Sequence, residues 1–89
     1  QYSDDYNTAI CLMSLGYDKR ALDIMLKQAD TSDRNYILAI LYVRLKMEEE
    51  AVKSYIKSCD QDESKIWRGK LDPEINTLIK NYNLYKDDF

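Results

Sequence analysis

Eighty-nine residues, 45% apolar and 33% charged, describe one globular domain with a core of its own, not a disordered tail. The net charge of −3 comes from acids and bases mixed along the chain, six and five in residues 1–45 and ten and eight in residues 46–89, so no basic face marks a nucleic-acid partner. The longest apolar run is about half what a bilayer requires, no secretory signal pattern is present, and direct membrane insertion is not expected. The chain opens on Gln1 instead of Met, as expected of a fragment or a processed form.

The residue pattern predicts helices throughout. A first helix is expected from Tyr2 to Leu15, with Ser3, Asp4 and Asp5 as candidate caps and Gly16 as its stop. Tyr2, Tyr6, Ala9, Ile10 and Met13 keep helical spacing, and Cys11, Leu12 and Leu15 widen the stripe. Asp18 opens a second helix with Ala21, Leu22, Met25, Leu26 and Ala29 on its apolar face. After the polar break Asp30–Asp33, the run from Tyr36 to Leu45 is apolar except for Arg44. A strand buried on both faces would also read this way. Its Leu and Ala content, the Thr31-Ser32-Asp33 cap and the lack of Gly or Pro favour a helix covered on most sides. Glu48 to about Cys59 is a fourth helix, acidic at its start and carrying Lys53 and Lys57 further on, the favourable order for the helix dipole.

Asp60 to Leu71 is the least regular stretch and holds the only Trp, Trp67, expected to cover the end of the core. Asp72-Pro73-Glu74 then opens a last helix, with Asp to cap, Pro at the first helical position and Glu in the first turn. Ile75, Leu78, Ile79 and Tyr82 give it an apolar stripe, and the tail from Asn83 to Phe89 is expected to fray.

The strongest signal is an internal echo. A shift of thirty residues places Tyr6 on Tyr36, Ala9 on Ala39, Ile10 on Ile40, Leu15 on Leu45, Ala21 on Ala51, Lys27 on Lys57 and Asp30 on Asp60. Repeated helix pairs of this kind bury one face on the next pair. The second copy, Leu38-Ala39-x-x-Tyr42 followed by Ala51-x-x-x-Tyr55, resembles the tetratricopeptide repeat family, and Thr8-Ala9-x-x-Leu12 with Ala21-x-x-x-Met25 is a weaker copy. The small residues are expected to let two antiparallel helices approach closely, Ala39 facing Ala51. The sequence departs from the family in having Asp5 and Asn35 where an aromatic is expected, and in a period of thirty, which calls for a short second helix. Leu78-Ile79-x-x-Tyr82 looks like a third first-helix with no partner after it.

The resemblance implies an all-α fold of two antiparallel hairpins plus a terminal capping helix, a right-handed α-solenoid fragment. Its boundaries would be about 3–30 and 33–60 for the repeats, 61–71 for a linker and 72–83 for the cap. The run Arg68 to Ile75 also resembles, more weakly, the end of repeat arrays in envelope proteins of Bacteroides-type bacteria. That would imply a periplasmic or envelope-associated protein, and otherwise a cytoplasmic one is expected.

Chemistry is poorly represented. There is no His, so the commonest general base and metal ligand is missing. Cys11 and Cys59 lie on apolar faces and read as small core residues, neither a disulfide framework nor a metal site. Glu48-Glu49-Glu50 reads as a solvated helix start. No catalysis, metal or cofactor is expected. The resemblance implies instead a protein-interaction module whose inner surface is formed by Tyr6, Ile10, Met13, Tyr36, Ile40, Val43 and Arg44. These residues would give one apolar and aromatic strip for a peptide or a neighbouring domain, or a surface covered by the last helix. The alternative is a structural spacer, an array cap or a self-associating element.

Overall fold

The computed structural model describes residues 5–84. Six helices occupy them: α1 Tyr6–Ser14, α2 Asp18–Met25, α3 Ser32–Arg44, α4 Glu48–Gln61, α5 Ser64–Leu71 and α6 Pro73–Asn81, with no strand among the described residues. The sequence anticipates five of them. Tyr2, Ser3, Asp4 and the tail beyond Leu84 lie outside the described residues.

Local chemistry sets most boundaries. Asp5 starts α1 by accepting the Thr8 amide at 2.8 Å, and Thr31 starts α3 by accepting the Arg34 amide at 3.1 Å. Asp72 starts α6 in the same way, accepting from Glu74 N–H at 3.1 Å ahead of Pro73. Three helices end in one kind of turn, in which a left-handed residue lets the next amide reach back five residues. Gly16 (φ 87°) sends Tyr17 N–H to the Leu12 carbonyl at 2.9 Å, and Lys46 (φ 63°) sends Met47 N–H to Tyr42 at 2.8 Å. Asn83 (φ 54°) sends Leu84 N–H to Ile79 at 2.9 Å. The tail expected to fray therefore begins with an ordered stop at Asn83 and Leu84. The first two turns lie thirty residues apart, in step with the sequence echo.

α5 corrects the reading of residues 60–71 as irregular. Asp62 turns the chain by accepting from Ser64 N–H at 3.0 Å and Ser64 Oγ at 2.8 Å, and a two-turn helix follows. Lys65 is buried on this helix because its ammonium is matched by Asp33 at 2.8 Å and Asp62 at 3.1 Å. Gly69 is needed where α5 meets α4, since a Cβ there would overlap the Tyr55 ring.

The core runs along the molecule, 45 Å by 23 Å by 20 Å, and has α3 at its centre. α1 packs on α2, α3 on α4 and α5 on α6, while α2–α3 contacts join the pairs and α6 lies on α3 and α4. Seven consecutive residues of α3, Asn35 to Leu41, are buried. Each large apolar side chain among them contributes about 1.5–3 kcal/mol of burial. Ala9, Ala21, Ala39 and Ala51 have no exposed surface.

The two positions at which the sequence departs from the repeat family have local tasks. Asp5 is the cap just described. Asn35, 2% exposed, donates to Asp30 Oδ1 and Gln61 Oε1, both at 2.7 Å, and accepts from Arg34 at 2.9 Å. Arg34 also donates to the Met25 and Leu26 carbonyls at 3.3 and 3.0 Å, closing the end of α2. α2 is eight residues long against fourteen for α4, and the Arg34 guanidinium satisfies carbonyls at its end.

Lys46 holds a left-handed conformation that costs a side chain of its type on the order of 1 kcal/mol. Lys46→Gly is expected to raise the unfolding free energy by about 0.5–1 kcal/mol. A urea midpoint that rises at constant slope would show it, and a midpoint that falls would mean that the turn after α3 is not left-handed.

Candidate functional site

Two surfaces come into question: the strip along the first helices and a groove on the first helix pair. Tyr6, Ile10, Met13 and Val43 are half-buried at the edge of the core, while Tyr36 and Ile40 lie inside it, 0% and 5% exposed. A continuous open strip is therefore not presented, because α5 and α6 enclose its α3 half. The Arg68 guanidinium of α5 stands 4.3 Å from the Tyr36 ring centroid, Tyr55 meets the ring edge-on at 6.3 Å, and the Tyr36 hydroxyl donates to Asp72 Oδ2 at 3.1 Å. Burial, reinforced by the negative Asp72, pushes the Tyr36 phenol pKa well above its usual value, so the hydroxyl stays protonated and keeps donating.

Arg44 is equally committed. Its Nε and Nη2 donate to the two carboxylate oxygens of Glu74 at 2.9 and 3.2 Å, and its Nη1 donates to the Met13 carbonyl and to Asp18, both at 3.1 Å. The arrangement follows from helix ends: Met13 sits in the last turn of α1, and Asp18 and Glu74 lie in the first turns of α2 and α6. The hydrogen bonds to Glu74 hold the guanidinium proton more tightly still. One side chain thus ties α3 to α1, α2 and α6.

The open surface lies on the first helix pair. A groove of about 490 Å³ runs beside α1 and α2, lined by Asp5, Asn7, Thr8, Cys11, Leu12, Leu15, Tyr17, Arg20 and Ile24. Leu15 is 70% exposed and Tyr17 55%, held on either side of Gly16 by the turn that ends α1. Cys11 is exposed, which corrects its reading as a small core residue, whereas Cys59 is buried, and neither forms a disulfide.

The thirty-residue echo explains what is open here. Thr8 and Cys11 correspond to Leu38 and Leu41 of α3. Those two follow Arg34, which bonds the end of α2, one and two turns along the same helix face, and both are buried. α1 has no such neighbour among the described residues, and its equivalent positions carry a hydroxyl and a thiol in place of two leucines, Thr8 half-buried and Cys11 exposed.

A second exposed feature lies on α5. Trp67 is 68% exposed and Leu71 84%, so Trp67 does not cover the end of the core. The Lys70 ammonium stands 4.7 Å from its ring centroid. Tyr82, expected in the buried stripe of the last helix, is 42% exposed and donates to Glu48 at 2.8 Å. Among the described residues no group of three potential ligands could hold a metal ion, and no helix is long and apolar enough to cross a membrane.

Arg44→Met is expected to cost about 1–2 kcal/mol at low ionic strength, since charged bonds to two helices are lost at a third-exposed site. The loss should shrink in about 1 M salt. Denaturation at both salt concentrations checks this, and an equal loss at both would assign the effect to the packing of the aliphatic stem. Comparison of the chain with protein-family models, with curated proteins and with solved structures finds no match.

Proposed function

We propose that this chain is a protein-interaction module built from tetratricopeptide-like helix pairs, with a protein or peptide as its partner and no catalysis of its own. The thirty-residue echo, the matching turns at Gly16 and Lys46 and the four fully buried alanines support the repeat reading. The observation that carries the binding reading is the open groove beside α1 and α2. Leu15 and Tyr17 stand exposed there over the buried Leu12 and Ile24. Apolar and aromatic side chains held in fixed positions by a rigid turn lose little entropy when a partner covers them, which suits an interface centre. Tyr6, Ile10 and Met13 would extend this contact along the half-buried edge of α1, while Tyr36 and Ile40 are buried in the core and Arg44 is engaged at the surface by Glu74 and Asp18.

Self-association is the second reading, favoured by the exposed Trp67 and Leu71 on α5. One experiment separates the two. Cys11 is exposed and Cys59 buried, so a thiol-reactive photo-crosslinker attaches selectively beside the groove. Irradiation in extract from the source cells is expected to join the chain to a different protein, and Leu15→Glu with Tyr17→Ser should abolish that adduct. Light scattering should give a monomer at all concentrations. Crosslinks only between copies, with a mass that grows with concentration, would favour self-association. Adducts indifferent to the double substitution would dismiss the groove.

A further inference from the structure

We propose that the face of α3 and α4 under α6 is a helix-binding groove that holds its own last helix as an internal ligand. It would accept in trans a partner's amphipathic helix with acidic residues at its N-terminal end. The inference rests on the protein-binding reading but concerns a surface separate from the α1–α2 groove, so the two proposals fail independently.

The form of the α6 contact carries it. Ile75, Leu78 and Ile79, spaced i, i+3 and i+4, are each at most 2% exposed, on a helix that packs against α3, α4 and α5. This is the way an amphipathic helix lies in a groove. The acidic contacts are at the helix start, with Asp72 on the Tyr36 hydroxyl at 3.1 Å and Glu74 on Arg44 at 2.9 and 3.2 Å, while Tyr82 at the other end donates to Glu48 at 2.8 Å. A helix N-terminus presented with acids therefore fits the groove in charge as well as in apolar spacing.

Part of the receiving side is held by other elements. Arg44 also bonds the Met13 carbonyl and Asp18. Tyr36 also meets the Tyr55 edge and the Arg68 guanidinium of α5, the helix that packs on α6. The covering helix is short, nine residues, and one residue, Asp72, separates it from α5. The Arg44 and Glu74 side chains are 31% and 38% exposed, so a competing carboxylate reaches the guanidinium from solvent. In the absence of a partner α6 wins because it is tethered, at an effective concentration on the order of millimolar. Its presence also keeps Tyr36 and Ile40 out of water.

The probe is a fluorescein-labelled peptide of residues 72–84, titrated against full-length chains and read by anisotropy. Glu74→Lys with Ile75→Ser should unseat the tethered helix, and this chain is expected to bind the peptide at least tenfold more tightly than the unaltered chain. Adding Arg44→Glu should lose at least tenfold, and a peptide carrying Glu74→Lys should restore the loss. Amide hydrogen exchange of the unaltered chain supplies a second reading: residues 75–81 should exchange at least tenfold faster than residues 36–41, as for a unit that opens on its own. Collapse of the helical circular dichroism in the unseated chain, equal exchange of the two segments, peptide binding that ignores the charge at position 44, or no preference over the unaltered chain would each overturn the proposal.

Discussion

A tyrosine buried without a partner for its hydroxyl would forfeit about as much as its ring gains, and the arrangement around Tyr36 follows from that constraint. The residue has no exposed surface, and its hydroxyl reaches Asp72 at the start of α6. The carboxylate that caps α6 thus also satisfies the centre of α3. Arg68 over the ring face and Tyr55 at its edge bring α5 and α4 to the same point. Four helices meet on one aromatic side chain. Arg44, two turns further along α3, extends the connection to α1 by a hydrogen bond to the Met13 carbonyl and to α2 by its ion pair with Asp18.

The two ends of the molecule differ because the same helix pair is finished differently. On the α3–α4 side, Ile75, Leu78 and Ile79 close the apolar face, while Trp67 and Leu71 of α5 stay exposed beyond it. On the α1–α2 side the equivalent of a buried leucine pair is Thr8 and Cys11, polar enough to meet water, yet Leu15 and Tyr17 remain exposed beside them.

Helix type and order were legible in the sequence wherever the signal is local. Gly16 as a stop, Thr31 as a cap and Asp72-Pro73 as a start each act through backbone chemistry within a few residues. α5 was not legible because the face it buries is not its apolar one. Lys65, Ile66 and Gly69 turn inward, whereas Trp67 and Leu71, at i and i+4 on another face, turn out. The one local cue was Asp62 two residues before Ser64, an Asp-to-amide turn set among other charges. The site was less legible than the fold. Helical spacing groups Tyr6 with Tyr36 and Ile10 with Ile40 but does not say which of each pair a neighbour covers. That depends on α5 and α6, twenty or more residues beyond α3 in the chain. Cys11, expected as a small core residue, and Trp67, expected to cover the end of the core, both lie on the surface.

The dependence of the fold on Tyr36 is tested most directly by a double-mutant cycle. Tyr36→Phe removes only the hydroxyl. Asp72→Asn removes the charge while keeping an oxygen to cap α6. Denaturation of the two single variants and the double variant measures their coupling. A coupling of about 0.5–1.5 kcal/mol is expected, with the double variant less destabilised than the sum of the singles. Strict additivity would contradict the account, because α6 would then be seated without reference to the buried tyrosine.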